Sequence, residues 1–335
     1  MTHLALKHGE NPHQTGSIVL ENGSKDPLAL GNFTTPEGER LQSILPKLSW
    51  ITLTDLSRGV DLLVRTAAAF ETNTGRVPMI AILVQHGNCC GAAAGSTDDV
   101  LHHAIDSNYR ASFGAFLITN IALTKDVALR LRQWMPAQRP FSGIAAPLID
   151  PKAAGFFERK TGTCHMFSNP ALQRVGRELL NAPPQQRGIR GATLSQGVNA
   201  FVPKFPEDWE AALKADMSLA WGICASSNSN CITIAKDGMM VANAVGQPCR
   251  TGACELALWQ AGQAGHASML KGAAVASDSF FAFADGIDML ARKKVRAIFA
   301  TSGSIYDKDI AEHAKLFDVI FHTVPDSEAR AFSGH

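Results

Sequence analysis

The residues Gln85-His86-Gly87-Asn88-Cys89-Cys90-Gly91 set an imidazole beside a carboxamide, at the end of the apolar run Met79 to Val84. Histidine titrates near neutral pH, so an imidazole at the mouth of a buried strand suits proton transfer. The glycines around it let a backbone approach a ligand closely. The same pattern also fits a hydrogen-bonded structural histidine, and the residues alone leave both readings open. A metal reading pairs His86 with Cys89 and Cys90. Zinc deaminase sites, however, need a His-x-Glu and a distant Pro-Cys-x-x-Cys. Position 88 is Asn and the chain has no CxxC, so no metal is expected.

A second constellation is Phe280-Phe281-Ala282-Phe283-Ala284-Asp285. Aromatic faces can sandwich a flat heterocycle, and an ionised Asp285 can accept hydrogen bonds from one. The bland alternative is three core phenylalanines and a helix N-cap. Arg250 stands just ahead of an apolar helix, and Asn230 lies in Ser229-Asn230-Cys231-Ile232. Near the N-terminus, Lys7-His8-Gly9-Glu10-Asn11-Pro12-His13-Gln14 carries a cation, imidazoles and carboxamides. Asn11-Pro12 also reads as a simple turn, and Lys7 as a solvated surface residue. Arg330, so close to the C-terminus, would ordinarily belong to a disordered tail.

The elements that must position these groups alternate between strand and helix. Apolar residues Leu56, Val60, Leu63, Val64 and Ala67 predict a helix over Asp55 to Glu71. Met79 to Val84 predicts a buried strand, and the alanines after Gly91 predict the start of a helix. Gly114 to Thr119 predicts a strand and Lys125 to Trp134 a helix. Asn181 to Gly188 reads as a polar connector. Cys231 to Ala235 and Met239 to Ala244, joined through Asp237-Gly238, predict a β-hairpin. Helices are expected over Thr251 to Gln263 and Asp307 to Leu316. Strands are expected over Ala273 to Ala276, Arg296 to Thr301 and Phe317 to Thr323. The alternation argues for α/β layers with sites at the carboxyl ends of strands. No internal sequence repeat is visible.

A chain of 335 residues can bury a large core and form two lobes. With 46% hydrophobic and 18% charged residues it is globular in composition. Lys plus Arg is 31 and Asp plus Glu is 30, a net charge of +1 that points to no nucleic-acid or membrane partner. An anionic small substrate needs only a few basic side chains. The N-terminal residues lack an apolar signal region, and Met79 to Val84 is too short to span a bilayer. A cytoplasmic protein is expected. The 7 cysteines read as buried free thiols.

These motifs together resemble the AICAR transformylase half of the bifunctional AICAR transformylase/IMP cyclohydrolase family, AICAR being 5-aminoimidazole-4-carboxamide ribonucleotide. The family reads Lys-His-x-Asn-Pro-Cys-Gly where this chain keeps His86, Asn88, Cys90 and Gly91 but has Gln85 and Cys89. Arg-Tyr-Gly-x-Asn-Pro-His-Gln is matched with Lys7 and His8 in place of the first pair. Ser229-Asn230-Cys231-Ile232, Gly246-Gln247-Pro248-Cys249-Arg250, Gly303-Ser304-Ile305-Tyr306-Asp307 and Arg330-Ala331-Phe332-Ser333-Gly334-His335 resemble further family motifs. Thr52 stands where the family usually has Asn, Gly252 where it has Asp, and Tyr306 where it has Arg.

The resemblance implies two cytidine-deaminase-like lobes, 1–180 and 201–335, joined by a connector over 181–200. It implies formyl transfer from 10-formyltetrahydrofolate to AICAR, with no metal. His86, Gln85, Asn230 and Asp285 take the catalytic positions. Lys7, His8 and Arg330 hold a phosphate, while Arg250, Phe113, Gly114, Thr52 and Phe280 face the substrate. A homodimer follows, because the family's site forms between subunits. The cyclohydrolase domain is not expected here. Gln85 offers a neutral donor where the family lysine would stabilise an oxyanion by charge, and loss of such a donor costs roughly 10²–10³ in rate. A different amine acceptor, or binding without turnover, are the alternative expectations.

Overall fold

Side-chain alternation along the first long strand decides the layering of this molecule. The computed structural model describes residues 3–21, 24–135, 141–157, 164–180 and 185–333. A short antiparallel pair, β1 (His3–Ala5) with β2 (Ser17–Val19), precedes α1 (Leu41–Ile44) and the long α2 (Trp50–Thr74). Strands β3 (Met79–Gln85) and β4 (Asn88–Gly95) form a hairpin. Ile80, Ile82 and Val84 turn towards a core shared with Leu56 and Leu63 of α2. Ala81 and Leu83 turn to the opposite face, against Leu101 and Ile105 of α3 (Val100–Ser107).

Two expectations change here. Helix α2 begins at Trp50, ahead of the expected Asp55, because the Ser49 hydroxyl accepts the Thr52 amide at 3.2 Å and caps the helix. The residues after Gly91 continue a strand and do not open a helix. Ala92, Ala93 and Ala94 pair with Ile82, Ala81 and Ile80. Alanine's helix preference loses to close packing: a Cβ added at Gly91 would lie 2.3 Å from the Ala104 carbonyl of α3.

The chain continues through β5 (Phe116–Thr119), α4 (Lys125–Trp134), β6 (Gly143–Ala146), α5 (Pro151–Ala154) and β7 (His165–Ser168). The expected connector is partly a strand. Its residues 181–184 lie outside the described residues, and Gln185–Ile189 forms β8, paired antiparallel with β9 (Ala192–Gln196) in an exposed hairpin.

Then comes α6 (Ala211–Cys224), followed by β10 (Ile232–Lys236) and β11 (Met239–Ala244), the expected hairpin. After it stand α7 (Arg250–Gln263), β12 (Ala274–Ser277), α8 (Asp285–Ala291), β13 (Ala297–Ser302), α9 (Asp307–Leu316), β14 (Ile320–Pro325) and α10 (Asp326–Ala329). The order from α6 to β14 repeats the order from α2 to β7, a duplication invisible in the residues themselves.

One 10-stranded sheet carries both halves, in the order β14-β13-β12-β10-β11-β4-β3-β5-β6-β7. The halves meet where Met239 pairs with Ala93 and the Ala94 amide donates to the Gly238 carbonyl at 2.8 Å. Helices α2 and α6 pack together on one face. They touch at Gly222, where an added Cβ would sit 2.5 Å from the Thr66 Cα. On the other face, α7, α8 and α9 cover Ile234, Val275 and Ile298 as α3 and α4 cover the first half. The α/β class thus stands. Among the described residues no helix is long and apolar enough to cross a membrane.

Candidate active site

Strand direction gathers the expected site residues at one edge of the sheet. Strand β3 ends at Gln85, and Phe116 opens β5 opposite Val84, so Phe113 and Gly114 enter at the same edge. Ala244, ending β11, pairs with Ile232, which lies opposite Ser277 at the end of β12. Asn230 and Phe280 therefore flank that edge as well. Strands β13 and β14 run parallel to β12 and end there at Ser302 and Pro325, just ahead of Arg330. Strands β4 and β11 stand between β3 and β10, a separation of roughly 14 Å at ordinary strand spacing.

His86 and Gly87 form the tip of the β3–β4 hairpin, with φ of 53° and 71°. Positive φ at both central residues suits the right-handed strand twist. The His86 side chain is exposed. The tip is held from α2: the Gly87 amide donates to Asp55 Oδ1 at 2.8 Å. Burial pushes the Asp55 carboxyl above its ordinary range, opposed by that hydrogen bond and by the nearby His86. Gln85 Nε2 donates to the Phe113 carbonyl at 3.2 Å, so the carboxamide fixes the loop that carries Phe113 and Gly114. Gly114 has φ of 75°, and Phe113 is 47% exposed.

The N-terminal motif docks beside the start of α2. The Trp50 amide donates to the His8 carbonyl at 3.2 Å, and the Lys7 amide donates to Leu48. This brings Lys7 and His8 next to Thr52, whose hydroxyl lies 3.0 Å from Ser49 Oγ. His8 Nδ1 is 2.8 Å from the Gly9 carbonyl. Asn11 and Gln14 close their own turn, with both Asn11 nitrogens on Gln14 Oε1 at 2.9 Å. Lys7 also lines a cavity of about 790 Å³ with Lys47, Glu37, Glu39 and His165.

In the second half Asn230 is tied to Gln247: its Nδ2 donates to the Gln247 carbonyl at 2.7 Å. Arg250 forms a buried ion pair with Asp278 and donates to the Cys231 carbonyl at 3.1 Å. Arg250 Nε and Asp278 Oδ2 are buried without a partner among the described residues. Asp285 begins α8, is exposed, and accepts from the Thr251 hydroxyl at 3.0 Å. Of the phenylalanines, Phe281 is core, Phe280 is half-buried, and Phe283 is 60% exposed with its ring centroid 5.5 Å from that of Tyr306. Arg330 pairs with Asp326 and lies 5.0 Å from the Phe332 ring centroid. The last two residues of that motif, Gly334 and His335, lie outside the described residues.

Asp55, Asp278 and Asp326 escape sequence reasoning. The partners of Asp55 and Asp278 come from distant segments, and only the i,i+4 spacing of Asp326 from Arg330 could have marked the third. Asp326 accepts from the hydroxyls of Ser279 and Thr301 at 3.1 Å and 2.5 Å. Burial raises its pKa, but the hydrogen bonds from Arg330, Thr301 and Ser279 outweigh burial and hold it below the ordinary carboxylate range. Burial pushes the Cys90 thiol up to about 12. Among the described residues no group of three or more His, Cys, Asp or Glu is arranged to hold a metal.

The arrangement offers an exposed imidazole, neutral carboxamides and a carboxylate along one edge, with cations at both ends of it. Residues 1–260 match the family model described as AICARFT/IMPCHase bienzyme. The chain is 26% identical over 330 residues to the bifunctional purine biosynthesis protein PurH of Prochlorococcus marinus strain MIT 9215, covering 95% of this chain and 58% of that one. It is 25% identical to the protein of that name from Thermotoga maritima, over 96% of this chain and 62% of the other. For the Acaryochloris marina protein the figures are 28% identity, 94% and 56%. The chain thus spans a little over half the length of these relatives. By its match across most of its length, it belongs to the AICARFT/IMPCHase bienzyme family.

Proposed function

We propose that this chain transfers a formyl group from 10-formyltetrahydrofolate to the amine of AICAR or a related aminoimidazole nucleotide in purine biosynthesis. The placement of His86, Asn230 and Asp285 along the same ends of the sheet's strands, in a chain of this family, carries the reading. The substrate amine attacks the formyl carbon, the bond from that carbon to the folate nitrogen breaks, and His86 carries the amine proton towards the leaving nitrogen. Asn230 and Gln85 orient the formyl oxyanion by neutral donation. Asp285 receives the folate side. Phe113, Gly114, Phe280 and Arg250 seat the heterocycle, with Thr52 beside them, and Lys7, His8 and Arg330 take the phosphate.

The separation between the β3 and β10 ends favours a site completed by a second copy, hence a homodimer. The lobes 1–180 and 201–335, the connector 181–200 and a cytoplasmic setting without nucleic-acid or membrane partners complete this reading. No metal takes part in it.

One observation favours a second reading, a different amine acceptor or binding without turnover. The polar groups at the divergent positions already have local partners: Gln85 on Phe113, Thr52 on Ser49, His8 on Gly9. An assay of purified protein with AICAR and 10-formyltetrahydrofolate, following release of tetrahydrofolate, separates the two. AICAR-dependent turnover supports the first. Folate binding without turnover supports the second.

A further inference from the structure

We infer that the β8–β9 hairpin is a docking arm for a second copy of this chain, an inference that rests on the two-copy site proposed above. Every residue of both strands is exposed. A two-stranded hairpin with nothing packed on it is marginally stable in water. Its register nevertheless divides the side chains into two unlike faces. Leu194 stands opposite Arg187 and Ala192 opposite Ile189, which puts all four on one face. Thr193 opposite Gly188 and Ser195 opposite Gln186 make the other face small and polar. Ile189 and Leu194 are 47% and 54% exposed, so apolar surface is gathered on a single open face. The segment 185–196 contains no Lys, Pro, Asp or Glu and its pairing is regular, so its edges lack the usual guards against another chain.

The place of attachment identifies the occupant. The Asn199 side chain, just after β9, donates to the Arg330 carbonyl at 3.0 Å, and the Asn199 carbonyl accepts from Arg65 of α2 at 2.8 Å. Gln185 and Val198 line a small cavity with Arg58 and Ser333. Arg58 in turn donates to the Ser226 carbonyl and to the Ser333 hydroxyl, both at 3.1 Å. Both feet of the hairpin are therefore fixed beside the C-terminal segment that carries Arg330. That is the edge where the separation of the β3 and β10 ends leaves the site for a second copy to complete. A stable dimer buries about 800 Å² on each partner, more than Ile189, Ala192 and Leu194 supply. The same edge exposes Trp50 by 45%, Phe283 by 60% and Ile305 by 89%, apolar area that a copy held by the arm would cover.

Sedimentation equilibrium of the full chain tests this with the double variant Ile189→Asp, Leu194→Asp. The wild type is expected to be a dimer at micromolar concentration. The variant is expected to dissociate with a constant about 100-fold higher, the scale of losing a central apolar contact. Both side chains are exposed in the single chain, so the variant is expected to keep the circular dichroism of the wild type. Hydrogen exchange of the unaltered chain is a second measure that needs no variant. Amides of residues 185–196 are expected to exchange about tenfold more slowly above the dissociation constant than after dilution below it. A wild type still monomeric at about 100 µM overturns the inference together with the two-copy site. A dimer that the double variant leaves equally tight, or whose hairpin exchange ignores dilution, overturns the arm alone. A dimer loosened by the double variant yet inactive with AICAR supports the arm and overturns the formyl-transfer reading.

Discussion

Asp55 accepts the Gly87 amide at 2.8 Å and so clamps the hairpin tip that carries His86. The second half repeats the device: Asp216 of α6 accepts the Gly238 amide at 2.8 Å and that of Asp237 at 3.0 Å. Both carboxylates are 4% exposed. Burial raises both from their ordinary 3.8, and the backbone hydrogen bonds oppose it. A carboxyl raised on folding contributes stability that is complete below its unfolded value and is lost as pH rises through its folded value. The double variant Asp55→Asn, Asp216→Asn keeps an acceptor at each tip and removes both buried charges. Its unfolding free energy is expected to fall less than that of the wild type as pH rises from about 4 towards neutrality. Urea denaturation at stepped pH measures this. Parallel curves would show that other groups carry the dependence.

Gln85 spends one donor on the Phe113 carbonyl and offers no charge to an oxyanion. Gln85→Lys is expected to raise kcat for AICAR formylation, by up to about 10²-fold if the cation is the limiting group. Steady-state kinetics of the variant decide it. A rate no higher than wild type would remove the charge argument and leave the neutral carboxamide sufficient.

The two hairpins show what the sequence carried and what it hid. Asp237-Gly238 between two apolar runs announced its turn, and the structure supplies φ of 52° and 74° there. His86-Gly87 adopts nearly the same geometry, but histidine is an uncommon residue for it, and the alanines of β4 read as helix. Burial on both faces of the sheet overrode local preference. Helices α4 and α9 kept their expected ends because each is a surface helix with its own polar face and apolar stripe. The candidate site was legible as motifs, since His86, Asn230 and Asp285 sit in distinctive local runs. Asp55 and Asp278 were not, because their partners are brought in from distant segments by the fold.

Arg250 and Asp278 form an ion pair with side chains 10% and 0% exposed. Breaking a buried pair leaves one charge without compensation, which costs about 3–5 kcal/mol. Arg250→Ala is expected to destabilise the fold by that order in a denaturant titration. Asp278 also receives the Cys231 amide at 3.1 Å, next to Asn230, so activity is expected to drop with stability. A loss of activity with an unchanged unfolding midpoint would assign Arg250 to the ligand and not to the frame.

His322 of β14 lies among Phe205, Trp209 and Phe299, with ring centroids at 6.5, 5.6 and 6.0 Å. Its Nε2 is buried without a partner among the described residues, and burial lowers its pKa from the ordinary 6.5. A base lowered on folding contributes stability that is complete above its unfolded value and is lost as pH falls through its folded value. Stability is thus expected to decline below about pH 6.5, and His322→Phe is expected to flatten that decline while keeping the ring cluster. Thermal unfolding of both proteins at pH steps from about 7 to 5 reads it directly. An equal decline in the variant would place the acid sensitivity elsewhere.

His86 holds a backbone conformation that side chains other than glycine adopt at a cost of about 1–2 kcal/mol. His86→Gly relieves the strain, although the freer unfolded chain takes back part of the gain. The variant is expected to be at least as stable as the wild type in urea while losing formyl transfer by about 10²-fold or more, the scale of acid–base catalysis. His86→Ala, which keeps the strain, is expected to lose as much activity without gaining stability. If His86→Gly instead unfolds more readily and turns over normally, His86 belongs to the frame of the hairpin and the proton carrier must be sought among the other groups of that edge.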